Sequence, residues 1–325
     1  MEVTIRQPGV LTTIQDLGRP GRRQLGITPG GAMDSLSLRL ANLLVGNPEN
    51  FPALEMTLRG AVLHFEQDAL GAVQGGDFAV SIDGRELPAD RPFLIAADSI
   101  LSIAQARRGC RAYVAIAGGF EVTSILGGCG TDLRAGLGGF GGRALSTGDV
   151  LKARRLKVTA VPNGWYLADE WRPDLSGRVV LRALRGEHCD EFDQDLFVQS
   201  FEVSPNSDRM GLRLRGQLLG RSRQTERLST AVMPGTVQVP PDGHPIVLAA
   251  DCQTIGGYPR VAHVITADLP TLGQLRPGDT VRFAAVDLET AHEALADQAL
   301  NLRKLRIGLA GRLPWVRTDA CSAWT

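Results

Sequence analysis

Short apolar runs, bounded by glycine, proline and aspartate, recur along most of the chain. Apolar and polar positions alternate over residues 1–14 (Val3, Ile5, Val10, Leu11, Ile14) around Pro8-Gly9, which predicts a short hairpin feeding a sheet. Runs at 61–65, 78–82, 99–103 and 112–116 predict further strands, separated by turns such as Asp83-Gly84 and Gly118-Gly119. After residue 178 the pattern resumes at 179–182, 201–203, 236–239, 246–250, 261–265 and 280–283. Only two segments have helical spacing. Leu36, Leu38, Leu40, Leu43 and Leu44 predict a helix over 35–45, capped by Asp34 or Ser35 and ended by Gly46-Asn47-Pro48. Leu288, Ala291, Leu295, Ala299 and Leu302 predict a closing helix over 288–306. The expected fold is mainly β, a barrel or sandwich architecture with a few short helices.

At 325 residues the chain is long enough for two cores. The expected organisation is an N-terminal β domain over 1–160, a linker over 161–177 marked by Trp165, Trp171 and Pro173, a C-terminal β domain over 178–287, and a helix and tail over 288–325. A faint internal echo supports two related units: Leu145-Ser-Thr-Gly148-Asp149-Val150 and Leu275-Arg-Pro-Gly278-Asp279-Thr-Val281 share a Leu-x-x-Gly-Asp turn leading into a strand. Gly-Asp turns are common enough that coincidence explains it equally well.

Composition narrows the function classes. The 38 glycines have no period and fit many turns rather than a fibrous or linker chain. The 35 basic and 35 acidic residues cancel, so no global field draws nucleic acid or anionic lipid. The five cysteines are widely spaced without a C-x-x-C pair, which fits free thiols and a cytoplasmic location rather than a disulfide framework or a zinc site. No run approaches the ~20 apolar residues of a membrane span, so no membrane association is expected.

Two loops carry the most chemistry. The first, over 12–34, offers Gln15, Asp16, Arg19 and Asp34 among many bare backbone N–H groups, a set suited to a small polar ligand; Asp16 with Arg19 is equally readable as a structural pair. The second, over 251–258, presents Asp251, Gln253, Thr254, Gly256, Gly257 and Tyr258 where an apolar run leaves the core; its plain alternative is a glycine hairpin. Asp208-Arg209 is a third compact polar set, readable as a turn or as part of a site. The glycine-rich stretch 127–139 lacks the G-x-x-x-x-G-K-[ST] spacing of a phosphate loop, and none of the three lysines lies in a glycine loop. His188, Cys189, Asp190 and Glu191 are contiguous, a poor arrangement for converging on one metal ion. No nucleophile elbow is present, so the chain offers binding loops without a catalytic engine of its own.

Several of these segments together resemble one family. They include Thr13-Ile14-Gln15-Asp16-Leu17-Gly18-Arg19-Pro20-Gly21, Gly31-Ala32-Met33-Asp34, Leu54-Glu55-x-Thr57-Leu58, Thr131-Asp132-Leu133-Arg134-Ala135-Gly136, Ser207-Asp208-Arg209-Met210-Gly211 and Gln253-Thr254-x-Gly256-Gly257-Tyr258-Pro259. In this order they are similar to the family of allophanate hydrolase subunit 2, the KipA-like proteins and the carboxyltransferase domain of urea carboxylase. The resemblance implies two cyclophilin-like β-barrel domains. It also implies ATP-dependent opening of 5-oxoproline to glutamate by a 5-oxoprolinase, in which a chain of this kind works with a KipI-like protein of the allophanate hydrolase subunit 1 type and with a third, larger component, ATP being bound together with those partners. On this reading Asp16 and Asp251 are the expected catalytic carboxylates. Gln15, Arg19, Asp34, Arg209, Gln253, Thr254, Gly256, Gly257 and Tyr258 are the expected substrate contacts in a cleft facing the KipI-like partner. Two alternatives follow from the same resemblance: a carboxyltransferase using biotin on a separate carrier, and a non-catalytic regulator that binds a KipI-like kinase inhibitor. The chain departs from the family pattern at Leu228-Ser229-Thr230-Ala231, where a carboxylate is missing unless Glu226 substitutes, and at Cys252.

Overall fold

The computed structural model of the chain describes residues 1–156, 165–192, 195–220 and 228–313. Glu226, the residues 161–164 of the expected linker and the tail from 314 lie outside them. The first half holds β1 (Glu2–Gln7), β2 (Leu11–Gln15), α1 (Ser35–Leu44), β3 (Ala53–Thr57), β4 (Val62–Phe65), β5 (Ala69–Ile82), β6 (Arg85–Glu86), β7 (Phe93–Ile95), β8 (Ser99–Ile116) and β9 (Val150–Lys152). The second half holds β10 (Arg178–Arg185), β11 (Ser200–Val203), β12 (Gly211–Arg215), β13 (Thr230–Ala231), β14 (Thr236–Gln238), β15 (Ile246–Leu248), β16 (Ile255–Gly256), β17 (Arg260–Val264), α2 (Leu269–Gln274), β18 (Thr280–Ala285) and α3 (Leu288–Ala310).

The chain is mainly β, built on two sheets. Nine strands of the first half form a curled sheet with the path β2-β3-β8-β4-β1-β9, and β5 pairs with β6, β7 and β8. Seven strands of the second half close into a barrel, β10-β17-β14-β15-β12-β11-β18, sealed by parallel pairing of β10 with β18. The small β13-β16 ribbon stands apart. The expected hairpin at 1–14 does not form: β1 pairs with β4 and β9, and β2 pairs with β3. Two apolar runs expected as separate strands, 99–103 and 112–116, belong to the single strand β8, which continues through Gly109 at φ 73°.

Strand alternation decides what faces what. In β3, Leu54 and Met56 point into the core enclosed by the first sheet, while Ala53 and Glu55 take the other face. In β8, Ala112 and Val114 point inward, and Arg111 and Tyr113 share the outer face, with Tyr113 in register opposite Glu55. That outer face receives α1, whose buried Leu38, Leu40, Leu43 and Leu44 pack with Trp165, Leu167 and the α3 residues Leu302 and Leu309. Asp34 caps α1 by accepting from the Ser37 N–H at 2.9 Å. A third core fills the barrel around Phe201, Phe283, Val237 and Val247.

The sequence echo has a structural counterpart. The Gly148 N–H donates to the Ile5 carbonyl and the Ile5 N–H to the Asp149 carbonyl; the Gly278 N–H donates to the Val203 carbonyl and the Val203 N–H to the Asp279 carbonyl. In each turn the aspartate carboxylate also accepts from the N–H three residues earlier, Ser146 in one and Arg276 in the other. The same hydrogen-bonded turn therefore occurs once in each half.

Candidate functional site

The first loop is stapled to the glycine-rich loop. Asp16 follows β2, and its carboxylate accepts N–H bonds from Gly18 at 2.8 Å, Cys129 at 2.5 Å and Gly130 at 3.1 Å. Arg19 donates to the carbonyls of Ile125 at 3.1 Å and Gly130 at 2.6 Å, and is almost wholly out of solvent. Gln15 donates to the Thr131 carbonyl and the Thr13 hydroxyl, both at 3.1 Å, leaving its own buried carbonyl oxygen without a partner. Asp16 and Arg19 are thus not paired with each other; each binds backbone of the facing loop. Thr28 closes the seam from the other side by donating to Asp132 at 2.8 Å. The Asp132 carboxylate, although burial opposes ionisation, is held below its ordinary range by the Ala135 and Arg134 N–H groups and Thr28.

The same loop leans on the barrel. The Gly30 N–H donates to the Ala250 carbonyl at 3.1 Å, and the Gly31 carbonyl accepts from Arg209 at 2.6 Å. Gly31 has φ 85°, and a Cβ there would lie 2.7 Å from the Gly18 nitrogen, so glycine is required on both counts.

Beneath this contact lies a buried polar network that ties sheet to barrel. Arg209 holds Asp251 through Nε at 2.7 Å and Nη2 at 2.9 Å, and its Nη1 donates to Glu55. Glu55 also accepts from the Tyr113 hydroxyl at 2.6 Å and the Met33 N–H at 2.9 Å, with Arg111 3.8 Å away. The Tyr113 hydroxyl accepts from the Asp34 N–H, and the Asp34 carboxylate accepts from Gln274 at 2.7 Å. Gln274, at the end of α2, accepts from the Cys110 and Arg111 N–H groups and donates to the Arg111 carbonyl. Next to it, a Cβ on Gly273 would collide with the Met33 carbonyl, which fixes how closely α2 seats.

Electrostatics follow from this packing. Burial opposes the Glu55 charge, but Arg209, Arg111, the Tyr113 hydroxyl and the Met33 N–H together hold its pKa below the ordinary value. Burial pushes Asp251 up against the pull of Arg209, and pushes Asp34 up against Gln274 and Ser37. Arg209 stays protonated, since Glu55 and Asp251 outweigh its desolvation. Cys252 packs against Val232 and Leu248, and burial raises its thiol to about 11, so it is not a ready nucleophile.

The second loop continues from the network into solvent. Asp251 is buried, Gln253 and Thr254 are half-buried, and Tyr258 is exposed. Ile255 and Gly256 pair with Ala231 and Thr230 in the ribbon, and the Tyr258 carbonyl accepts from the buried Gln238 at 3.3 Å. Gly257 is exposed beside them. The structure therefore divides the expected site residues into three groups. Gln15, Asp16 and Arg19 fasten the glycine-rich loop; Asp34, Arg209 and Asp251 lie in the buried network; Gln253, Thr254, Gly256, Gly257 and Tyr258 form the ribbon. The loops meet through Gly30, Gly31 and the 250–251 turn. Glu55, Arg111, Tyr113 and Gln274 were not singled out as site residues. A carboxylate and a guanidinium inside apolar runs were the available signal, because buried charges need partners.

A cavity of about 810 Å³ opens beside Asp16, walled by Phe51, Phe120, Glu121, Cys129 and Arg154. Among the described residues no three His, Cys, Asp or Glu side chains gather as a metal site, and no helix is long and apolar enough to cross a membrane.

Fold and loops together define a carboxyltransferase-type two-sheet unit, and residues 25–285 match the family described as carboxyltransferase domain, subdomain A and B. The chain belongs to that family. It is 42% identical over 305 residues to the C subunit of 5-oxoprolinase from Escherichia coli K12, covering 93% of this chain and 96% of that protein. It is 40% identical over 298 residues to the C subunit of 5-oxoprolinase from Haemophilus influenzae, covering 90% and 94%. The crystal structure of K. lactis urea amidolyase superposes with a TM-score of 0.88 at 30% identity, covering 94% of this chain but only 20% of that much longer protein.

Proposed function

We propose that the chain is the C subunit of a cytoplasmic ATP-dependent 5-oxoprolinase, working with a KipI-like partner and a third, larger component to open 5-oxo-L-proline to L-glutamate. The observation that carries this reading is the 40–42% identity to 5-oxoprolinase C subunits over at least 90% of the chain. The geometry favours a shared site over a self-sufficient one. Every carboxylate expected at the loops is occupied: Asp16 by three backbone N–H groups and Asp251 by a two-point Arg209 contact.

In this reading Asp16 and Asp251 act by position. Asp16 sets the glycine-rich loop and so the N–H groups and cavity wall around it; Asp251 fixes Arg209 and, through Gly31, the first loop. Gln253, Thr254 and Tyr258 are the groups left to meet substrate or the partner chain, with ATP bound at the completed interface. The similarity to urea amidolyase favours one second reading, carboxyl transfer from a biotin carrier to an amide.

The test is glutamate release from 5-oxoproline and ATP by the chain mixed with both partners, with the KipI-like partner only, and by itself. Turnover in the full mixture alone supports the proposal. No turnover in any mixture overturns it, and biotin-dependent carboxylation of urea by the chain with a carrier selects the second reading.

A further inference from the structure

Away from these loops, a cleft of about 470 Å³ opens where β8, the connector before β10 and the turn before β18 come together. Its walls include Arg108, Ser176, Arg178, Arg276, Asp279 and Thr280. We propose that this cleft is a phosphate-binding site, taking a phosphate dianion either free or as the terminal group of a nucleotide.

The charge balance carries the assignment. Three guanidinium groups line the cleft against one carboxylate, and that carboxylate is already engaged: Asp279 accepts from the Arg276 N–H at 2.9 Å and lies 3.8 Å from the Arg276 Nε. Arg108 reaches only the exposed Asp77, at 3.4 Å. Arg276 also donates to the Arg107 carbonyl at 3.2 Å. Arg178 has no ion pair or side-chain hydrogen bond among the described residues; its backbone alone is tied, to the Ser176 hydroxyl. The other acids nearby are committed, Glu86 to Arg107 at 3.7 Å and Asp174 to the Ser176 N–H at 2.9 Å.

Guanidinium groups gathered without matching anions repel one another, and their planar forks suit the oxygens of a phosphate better than a point charge would. Hydroxyls of Ser176 and Thr280 on the same walls offer neutral contacts to the same oxygens. Because the walls come from the first sheet, the connector and the barrel, a bound dianion bridges all three.

The test is calorimetric titration of the full chain with inorganic phosphate, ADP and ATP, with glutamate as a carboxylate control, alongside thermal melts. The expected result is saturable binding at millimolar or lower concentration, weakened about tenfold or more in Arg178→Ala, unchanged in Arg303→Ala on the exposed face of α3, and absent for glutamate. Phosphate raises the melting temperature of the wild type but not of Arg178→Ala. Nucleotides binding about tenfold tighter than phosphate assign the terminal group of a nucleotide; equal affinities assign free phosphate. No saturable binding of any of the three, or binding with the same affinity in Arg178→Ala and Arg276→Ala as in wild type, overturns the proposal.

Discussion

Arg209, two residues before β12, donates to Glu55 in β3 across the boundary between barrel and sheet, at a point where neither side chain reaches water. Removing one partner of such a pair strands the other as an uncompensated buried charge. Glu55→Ala and Arg209→Ala are each expected to lose about 3–5 kcal/mol in urea unfolding. Arg209→Lys recovers little of the loss, since an ammonium cannot serve Glu55, Asp251 and the Gly31 carbonyl at once. The double variant loses less than the sum of the single losses, which a double-mutant cycle measures.

The pH dependence of that pair has a defined sign. The folded pKa of Glu55 lies below its ordinary 4.5, so its contribution is complete above that value and is lost as pH falls through the folded pKa. Asp34 and Asp251, raised by burial, act in the opposite direction. The clean readout is therefore the stability gap between wild type and Glu55→Gln. That gap is expected to be constant near about pH 7 and to shrink below about pH 4.5 in denaturation series. A gap that widens in acid contradicts the assignment.

Asp16 is expected to matter to the loop more than to the fold. Asp16→Ala leaves the Gly18, Cys129 and Gly130 N–H groups without their acceptor, at about 1–3 kcal/mol. Amide exchange at 128–131 should quicken while exchange in β8 stays slow. Activity in the assembled complex should fall more than about tenfold.

Gly31→Ala tests the fit of the first loop on the barrel. With φ at 85° and the Gly18 nitrogen 2.7 Å from the new Cβ, the loop must shift and release the Arg209 contact to the Gly31 carbonyl. A loss of about 1–3 kcal/mol is expected, measured against Gly84→Ala. At Gly84 φ is equally positive, but the added Cβ meets nothing.

Much of the fold was legible in the sequence because local patterns reported local structure. The apolar spacing that predicted α1 and α3 reappears as helices at Ser35–Leu44 and Leu288–Ala310, and most apolar runs became strands. What the pattern did not carry was pairing. β1 and β2 are neighbours in sequence but meet different strands, a choice made by distant β4, β9 and β3. α2 was hidden because its six residues are mostly buried and leave no polar face to set a period. Within the site, the polar loop residues were visible as clusters. The groups that join them were not, because Glu55, Arg111 and Tyr113 sit inside strand runs and Gln274 lies more than 160 residues from the Arg111 backbone it binds. Only the folded register brings those four together.

The account turns on the ribbon being the ligand-facing or partner-facing half of a shared site. The most direct measurement is ATP-dependent glutamate release from 5-oxoproline by the full complex assembled with a Gln253→Ala, Tyr258→Ala variant of this chain, read beside its melting temperature. Both side chains reach solvent, so the account predicts a melting temperature close to wild type and turnover reduced by about a hundredfold or more. Full turnover by that variant, with the fold intact, would contradict it.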